Sequence, residues 1–385
     1  MKLFLLAGEP SGDKLGAALM AGLKELAPEI SFHGVAGPAM QAQGMESLFP
    51  MEELSVMGIA EVLPKYPALR RRLHEAAKAC LDVAPDALLT IDSPDFSLRL
   101  AKLVRAQSQT KTIHYVAPSV WAWRPGRAEK MARHIDHVLA LLPFEPPYME
   151  EAGMTCDFVG HPVVAEVQAS KPEAQAFRAE TETHDAPMVL VLPGSRRSEV
   201  GRLSAVFGAT LKRVLEARPE ARVVVPAAAP VAAAVQEAAR DWPGAPVVLD
   251  PRDDARAAEK KRAAFAAADV ALAASGTVSL ELAASETPMV IAYDMSWLSW
   301  QVMSRMAQID TVTLVNLIVG QNIVPEFLGP ACKPDDISAA LIELLDDKSA
   351  RLKQMAAMNT TMLKLGRDGE APGLRAARSV LNVLR

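Results

Sequence analysis

Short apolar runs alternate along this chain with longer stretches in which apolar residues recur every three or four positions. The runs indicate strands buried on both faces of a parallel sheet, and the spacers indicate amphipathic helices. Alternation of strand and helix from the first residue favours right-handed βαβ units and predicts an α/β protein. The predicted strands form two series, residues 3–7, 31–35, 87–91, 111–116 and 137–141, then 189–192, 222–226, 246–249, 269–273 and 288–292.

The two series are separated by residues 169–187, a polar stretch poor in apolar residues that predicts a linker. We therefore expect two doubly wound, Rossmann-like domains, residues 1–168 and 169–345, with ligands in the cleft between them. Helical patterns in the tail, residues 346–385, have no strands left to pair with. These helices are expected to cross the hinge and pack back on the first domain.

Composition narrows the class of protein. Half of the 385 residues are apolar and 23% are charged, which is typical of a folded globular chain. The net charge of −5 gives no reason to expect a nucleic acid partner. Three widely spaced cysteines suggest neither a disulfide framework nor a zinc site, and favour a reducing cytoplasm. The short apolar N-terminus reads as a first strand rather than a signal peptide.

One turn, Pro193-Gly194-Ser195-Arg196, stands between a buried strand and a helix. Gly194 permits a tight turn and Ser195 can cap the helix. Unpaired N–H groups at the helix start, with the charge of Arg196, suit a phosphate. The alternative is an ordinary strand–helix loop with a solvated arginine.

A second turn of this kind, Ser275-Gly276-Thr277, follows the strand at 269–273. Ser275 and Thr277 can cap the helix or donate to an anion, and Gly276 permits close approach of the backbone. Glu281 lies one turn further along and can accept hydrogen bonds from a ribose, unless it is only a solvated helix charge. Two such turns in one domain predict a nucleotide diphosphate.

The first domain carries carboxylates at the corresponding places. Asp92 follows a buried strand, where partial desolvation favours a general base. The turn containing Ser11, Gly12 and Asp13 also begins a helix, and its acidic character suits sugar hydroxyls better than a diphosphate. A helix cap by Ser11 or Asp13 explains the same pattern.

Aromatic and apolar segments suggest further contacts. Trp121 with Arg124 in one loop suits a sugar or acyl chain beside a phosphate, although core packing of a tryptophan is an alternative. Residues 54–63, followed by Lys65 and Arg70 to Arg72, and residues 295–306 join apolar and basic positions. Such segments can lie on an anionic bilayer, and ordinary core helices show a similar pattern.

Taken together, these motifs resemble the lipid-A-disaccharide synthase family, glycosyltransferase family 19. The matching segments keep their order from residue 8 to about residue 330. They are residues 8–13, 34–38, 51–59, 91–96, 118–124, 142–145, 193–196, 274–277 and 316–318.

The resemblance implies a GT-B fold and an inverting hexosyltransferase that needs neither metal nor cofactor. It would join UDP-2,3-diacylglucosamine to 2,3-diacylglucosamine 1-phosphate, giving the β-1,6-linked lipid A disaccharide 1-phosphate and UDP. It also implies peripheral contact with the cytoplasmic face of the inner membrane. A homodimer with exchanged C-terminal segments is implied as well.

The resemblance assigns roles to individual residues. It makes Asp92 the candidate base and Arg196 the residue that offsets charge on the UDP leaving group. The nucleotide contacts would be Gly194, Ser195, Arg196, Ser275, Gly276, Thr277 and Glu281. The substrate contacts would be Ser11, Gly12, Asp13, Trp121, Arg124 and Asn316. Membrane or acyl contacts would be Val56, Met57, Ile59, Val62 and Leu63.

Two other classes remain open from the residues themselves. Another UDP-sugar enzyme, a polar glycosyltransferase or a UDP-sugar epimerase, would use the same turns without apolar acyl contacts. A two-domain binding protein without chemistry would be expected to carry an export signal.

Overall fold

The computed structural model describes residues 1–54, 59–123, 126–306 and 308–385, with the side chains of residues 59–65, 298 and 299 outside the description. The chain divides into two compact units. The first comprises Met1–Ala165 and Leu365–Arg385, and the second comprises Glu166–Lys364.

The first unit is a six-stranded, wholly parallel sheet in the order β2-β1-β3-β4-β5-β6. Its strands are β1 Lys2–Ala7, β2 Ser31–Val35, β3 Ala87–Ile91, β4 Lys111–Tyr115, β5 His137–Ala140 and β6 Thr155–Phe158. Its helices are α1 Pro10–Leu26, α2 Pro38–Ala42, α3 Ile59–Val83, α4 Pro94–Arg105, α5 Gly126–Ala132 and α6 Pro146–Glu151.

The strand order reverses beside β1, so that the chain leaves β1 for β2 on one side and β3 lies on the other. The carboxyl ends of β1 and β3 are adjacent there, with Ala7 paired to Ile91. In open α/β sheets this reversal leaves a crevice at which ligands bind.

The second unit repeats the architecture with the order β12-β11-β10-β7-β8-β9, again all parallel. Its strands are β7 Met188–Leu192, β8 Arg222–Pro226, β9 Val247–Leu249, β10 Val270–Ala274, β11 Met289–Tyr293 and β12 Glu326–Leu328. Its helices are α7 Lys171–Glu180, α8 Arg197–Ala217, α9 Ala232–Arg240, α10 Ala257–Ala267, α11 Val278–Ala284, α12 Trp297–Met306, α13 Leu314–Val319, α14 Pro334–Asp346 and α15 Lys348–Lys364.

The last helix, α16 Pro372–Val383, belongs to the first unit. It packs on α1, and Ala376, Ala377 and Val380 are fully buried. Ser379 Oγ donates to Asp157 Oδ2 at 2.6 Å and lies 2.8 Å from His137 Nε2. The part of the tail that returns to the first unit is therefore shorter than residues 346–385, because α15 packs within the second unit.

The predicted linker is partly helical. Ser170 caps α7 in a capping box with Glu173, although the helix is polar and buries only Phe177. The apolar pattern missed this helix, whereas the Ser-x-x-Glu spacing could have revealed it. The edge strands β6 and β12 were missed as well, because neither is a continuous apolar run.

Candidate active site

Asp92 lies at the carboxyl end of β3 with an uncommon backbone conformation. Its φ is +54° and that of Ser93 is +44°, a left-handed pair that is strained for residues other than glycine. Hydrogen bonds hold this turn on both sides. The Asp92 N–H donates to Tyr115 O at 3.0 Å, and the Asp92 carbonyl accepts from Ser97 Oγ at 2.7 Å.

The Asp92 carboxylate is half-buried and meets the start of α1. Ser93 N donates to its Oδ1 at 2.8 Å, and Ser11 Oγ donates to its Oδ2 at 3.4 Å. Ser93 Oγ in turn donates to Glu9 Oε1 at 3.4 Å. Among the described residues each Asp92 oxygen accepts one bond, which leaves a lone pair on each for a proton. The structure thus brings together Ser11 and Asp92, two of the residues that the sequence singled out.

Asp13 has a different environment, because its buried carboxylate binds the start of α2. Oδ1 accepts from the backbone N–H groups of Gly37 and Met40 at 3.0 and 2.9 Å, and Oδ2 accepts from Ala39 N at 2.8 Å. These N–H groups begin a helix and carry partial positive charge. Asp13 caps a neighbouring helix, which corrects the expectation that it faces a sugar. Gly12 is likewise buried, in the first turn of α1.

The turn after β7 has the predicted shape but different capping. Gly194 has a φ of +114°, and the N-cap of α8 is Arg196 rather than Ser195. Glu199 Oε2 accepts from Ser195 N and Arg196 N at 3.0 and 3.2 Å. The cap therefore comes from Glu199, because its carboxylate reaches back over the first turn to the N–H groups that were expected to bind phosphate.

The Arg196 side chain remains accessible. Its Nη1 lies 3.2 Å from Glu199 Oε1, and the side chain is 60% exposed. An exposed ion pair of this kind is weak in water, so the guanidinium can turn to an anionic ligand at low cost.

The turn after β10 is open. Gly276 has a φ of +151°, and a Cβ placed there would meet no atom within 4 Å among the described residues. Thr277 is the N-cap of α11, but its side chain makes no capping hydrogen bond. Glu281 accepts from Lys261 Nζ at 2.5 Å, and both side chains are partly exposed, which is compatible with the alternative of a solvated helix charge. A ribose would have to share this carboxylate with Lys261.

Sheet pairing places the two turns side by side. β7 pairs with β10, and Leu192 lies opposite Ala273. Neighbouring strands are about 4.8 Å apart, so both turns lie at the same edge of the sheet. Tyr293, at the end of the next strand, was not predicted. Its pKa is raised, first by burial and then by the nearby Glu199 carboxylate.

Two other candidate residues, Asn316 and Trp121, make their contacts within the protein. Asn316 is buried, and all four hydrogen-bonding positions of its amide are used. Nδ2 donates to Thr311 Oγ1 and Val324 O, and Oδ1 accepts from Ile323 N and Val324 N. Asn316 therefore shapes its own loop, which corrects the expectation of a substrate contact.

Trp121 packs locally. Its indole Nε1 donates to Glu145 Oε1 at 3.3 Å, and its ring meets Phe144 edge-on with centroids 5.1 Å apart. Glu145 is buried, which raises its pKa to about 7 even though Leu141 N and Leu142 N also donate to it. Trp121 therefore packs against other residues of the protein, as the alternative interpretation of this loop expects.

Some predicted contacts cannot be placed. Arg124, Val56 and Met57 lie outside the described residues, as do the side chains of Ile59, Val62 and Leu63. In the second apolar segment, α12 exposes Trp297 by 70% and Val302 by 56%.

In the parts of the chain that the structure describes, no three His, Cys, Asp or Glu side chains come together as a metal site. Within the same ranges, no helix is long and apolar enough to cross a bilayer.

Sequence comparison identifies close relatives. The family model described as lipid-A-disaccharide synthetase matches residues 3–372. A lipid-A-disaccharide synthase of Ruegeria pomeroyi is 61% identical over 386 residues, covering 100% of this chain and 96% of that protein. A lipid-A-disaccharide synthase of Rhodospirillum centenum is 47% identical, covering 99% of this chain and 94% of that protein.

Solved structures share the fold at low identity. A UDP-GlcNAc 2-epimerase from Neisseria meningitidis bound to UDP-GlcNAc has a TM-score of 0.66 at 13% identity, covering 100% of this chain and 99% of that chain. MurG of Acinetobacter baumannii has a TM-score of 0.54 at 14% identity, with 100% and 98% covered. With the two parallel sheets, these likenesses confirm the predicted GT-B type of α/β fold.

Proposed function

This chain belongs to the lipid-A-disaccharide synthase family, and we propose on that basis the reaction that it catalyses. It is a glycosyltransferase of lipid A synthesis that joins UDP-2,3-diacylglucosamine to 2,3-diacylglucosamine 1-phosphate. The products are the β-1,6-linked disaccharide 1-phosphate and UDP. The observation that carries this function is the full-length match to relatives of that name, at up to 61% identity.

A UDP-sugar epimerase is the less favoured alternative. The structural likeness to UDP-GlcNAc 2-epimerases has 13% sequence identity and bears on the fold alone. The family match covers residues 3–372 and bears on the activity.

In the proposed reaction Asp92 acts as general base. Its carboxylate takes the proton of the acceptor 6-hydroxyl as that oxygen attacks C1 of the donor sugar. The bond from C1 to the diphosphate oxygen breaks, its electron pair leaves with UDP, and the configuration at C1 inverts. The half-buried position of Asp92 and its bonds to Ser93 N and Ser11 Oγ support this role, because they fix the carboxylate at the sheet edge.

The second unit binds the UDP part of the donor. Gly194, Ser195 and Arg196 form one side of the diphosphate site, with Ser275, Gly276 and Thr277 on the other. The pairing of β7 with β10 and the exposure of the Arg196 guanidinium support this assignment. Arg196 offsets the charge that develops on the leaving diphosphate. Glu281, beside Lys261, accepts the ribose hydroxyls.

The partners and location follow from the substrates. Both substrates carry acyl chains, so the enzyme makes peripheral contact with the cytoplasmic face of the inner membrane. Exposure of Trp297 and Val302 on α12 supports an apolar contact. The protein is proposed to form a homodimer by exchange of the C-terminal segment, since α16 packs on the first unit but follows α15 of the second unit through residues 365–371.

A direct assay tests the function. Purified protein is incubated with both acylated sugars in detergent, with and without a chelator, and the products are analysed by mass spectrometry. Disaccharide 1-phosphate and UDP are expected in equal amounts in both cases. Well-folded protein that forms no disaccharide contradicts the proposal, and turnover of UDP-N-acetylglucosamine alone would favour the epimerase.

A further inference from the structure

A groove runs between α3 and α4 in the first unit, and it meets the site described above only at Glu9 and Ser93. Its volume is about 530 Å³, within the range of small-molecule sites. One wall is apolar and half-buried, formed chiefly by Leu69, Leu73, Phe96 and Leu103. An apolar wall of this kind suits an acyl chain.

Cationic side chains also line the groove. Arg99 and Lys102 are three residues apart on α4 and share one face of the helix, and Arg70 faces them from α3. All three side chains are exposed, and among the described residues none of them forms an ion pair. Neighbouring like charges repel one another, so an anion bound among them would be favoured. His74 also lines the groove.

The acidic end of the groove joins the candidate base. Glu9, Ser93 and Asp95 line this end, and Ser93 is bonded to both Glu9 Oε1 and Asp92 Oδ1. Arg99 lies one helical turn beyond Asp95, a rise of about 6 Å along α4. The groove therefore presents carboxylates and cations about one hexose apart, beside an apolar wall.

We propose that this groove binds the acceptor glycolipid. The 1-phosphate is held by Arg99, Lys102 and Arg70, and an acyl chain is held by Leu69, Leu73, Phe96 and Leu103. The 6-hydroxyl, which lies across the ring oxygen from C1, points to Asp92. This inference rests on the proposed function and adds to it the site of one substrate. An anionic bilayer would supply a similar phosphate, but the concave shape and the junction with Asp92 favour a single bound sugar.

The phosphate contact is tested with the double variant R99Q/K102Q and two acceptors, one with and one without the 1-phosphate. The double variant K78Q/K111Q is the control, since it also removes two exposed cations but lies outside the groove. The KM for the phosphorylated acceptor is expected to rise about tenfold or more in R99Q/K102Q, because charge-assisted hydrogen bonds are lost. The KM for the dephosphorylated acceptor and for the UDP-sugar should stay within about twofold.

The outcomes distinguish failure of the phosphate site from failure of the proposed function. Equal effects on both acceptors, or no effect, overturn the phosphate site. Weaker binding to anionic phospholipid vesicles with unchanged KM in detergent overturns it too, because the cations would then serve the bilayer. Wild-type protein that makes no disaccharide contradicts the proposed function instead. The groove is then tested by calorimetric titration of the acceptor into wild type and R99Q/K102Q.

The apolar wall is tested by L73A against L98A, a half-buried leucine of α4 that does not line the groove. In L73A the KM for a long-chain acceptor should rise several-fold, while that for a short-chain acceptor should not change. L98A should change neither of these KM values. Equal behaviour of the two variants with both acceptors would overturn the acyl site.

Discussion

Asp13 and Asp92 are two carboxylates near the same sheet edge whose neighbours give them different chemistry. Asp13 is buried and accepts hydrogen bonds from three backbone N–H groups at the start of α2, so its carboxylate caps that helix. Asp92 is half-buried and receives one donor on each oxygen. Because Asp13 is buried and Asp92 is only half-buried, a ligand can reach Asp92 but not Asp13.

The role of Asp92 is tested with asparagine rather than alanine. Because Asp92 has a φ of +54°, and asparagine tolerates this conformation better than alanine, D92N separates chemistry from backbone strain. We expect kcat to fall by about 10²- to 10⁴-fold while UDP affinity is retained. The measurement is steady-state kinetics with UDP titration calorimetry. D82N, an exposed position on α3, is the control, and full activity of D92N would remove Asp92 from the mechanism.

Glu145 makes stability depend on pH in a predictable direction. Burial raises its pKa in the folded protein to about 7 from 4.5, so between these values the folded chain binds a proton that the unfolded chain has released. The free energy of unfolding therefore falls by about 3 kcal/mol in all as pH rises through this window. Above pH 7 the contribution of Glu145 to the free energy of unfolding no longer changes with pH.

The E145Q variant lacks this titration. Its stability relative to wild type should improve from pH 5 to pH 8, measured by urea unfolding followed by circular dichroism. E150Q, exposed on α6, should show a constant difference from wild type over the same range. A difference for E145Q that does not change with pH would contradict the prediction.

At the scale of elements, the turn after β7 shows a competition for one helix start. Glu199 already occupies the N–H groups of Ser195 and Arg196, so the turn is stable without a ligand. The exposed Arg196 guanidinium is the part that remains available for a phosphate.

We therefore expect R196A to lose at least about tenfold in kcat with little change in the free energy of unfolding. The stability is spared because an exposed ion pair contributes less than about 1 kcal/mol. R197A, the exposed neighbour on the first turn of α8, is the matched control. The two variants are compared by steady-state kinetics and thermal unfolding. An equal loss of activity in R197A would mean that the overall positive charge of the turn, and not a specific contact of Arg196, supports activity.

Elements that bury continuous apolar runs can be predicted from the sequence alone. The strands β1, β3, β7 and β10 and the turns after them follow from local pattern, since each needs only its own residues. The capping of α2 by Asp13 could not be foreseen, because residues 24 to 27 positions apart in the chain meet only after folding. The same holds for the α3–α4 groove, whose cations and apolar wall come from separate helices.

At the scale of the whole molecule, the fit of α16 against α1 links the end of the chain to its beginning. Gly22 makes the contact possible. A Cβ at this position would lie 2.8 Å from Gly373 O and 3.0 Å from the Leu374 Cα, so the backbone of α16 would have to shift. The G22A variant should lose about 1–2 kcal/mol, since overpacking outweighs the gain in helix propensity.

The same substitution tests the proposed exchange of C-terminal segments. If α16 comes from a partner subunit, the clash falls on the dimer interface, and G22A should lower the dimer fraction in light scattering over a dilution series. If α16 stays with its own chain, G22A should lower the unfolding midpoint equally at every protein concentration. G201A on α8, where an added Cβ meets no described atom within 4 Å, should change neither property adversely. A G22A protein as stable as G201A would mean that α16 does not pack on α1 in either way.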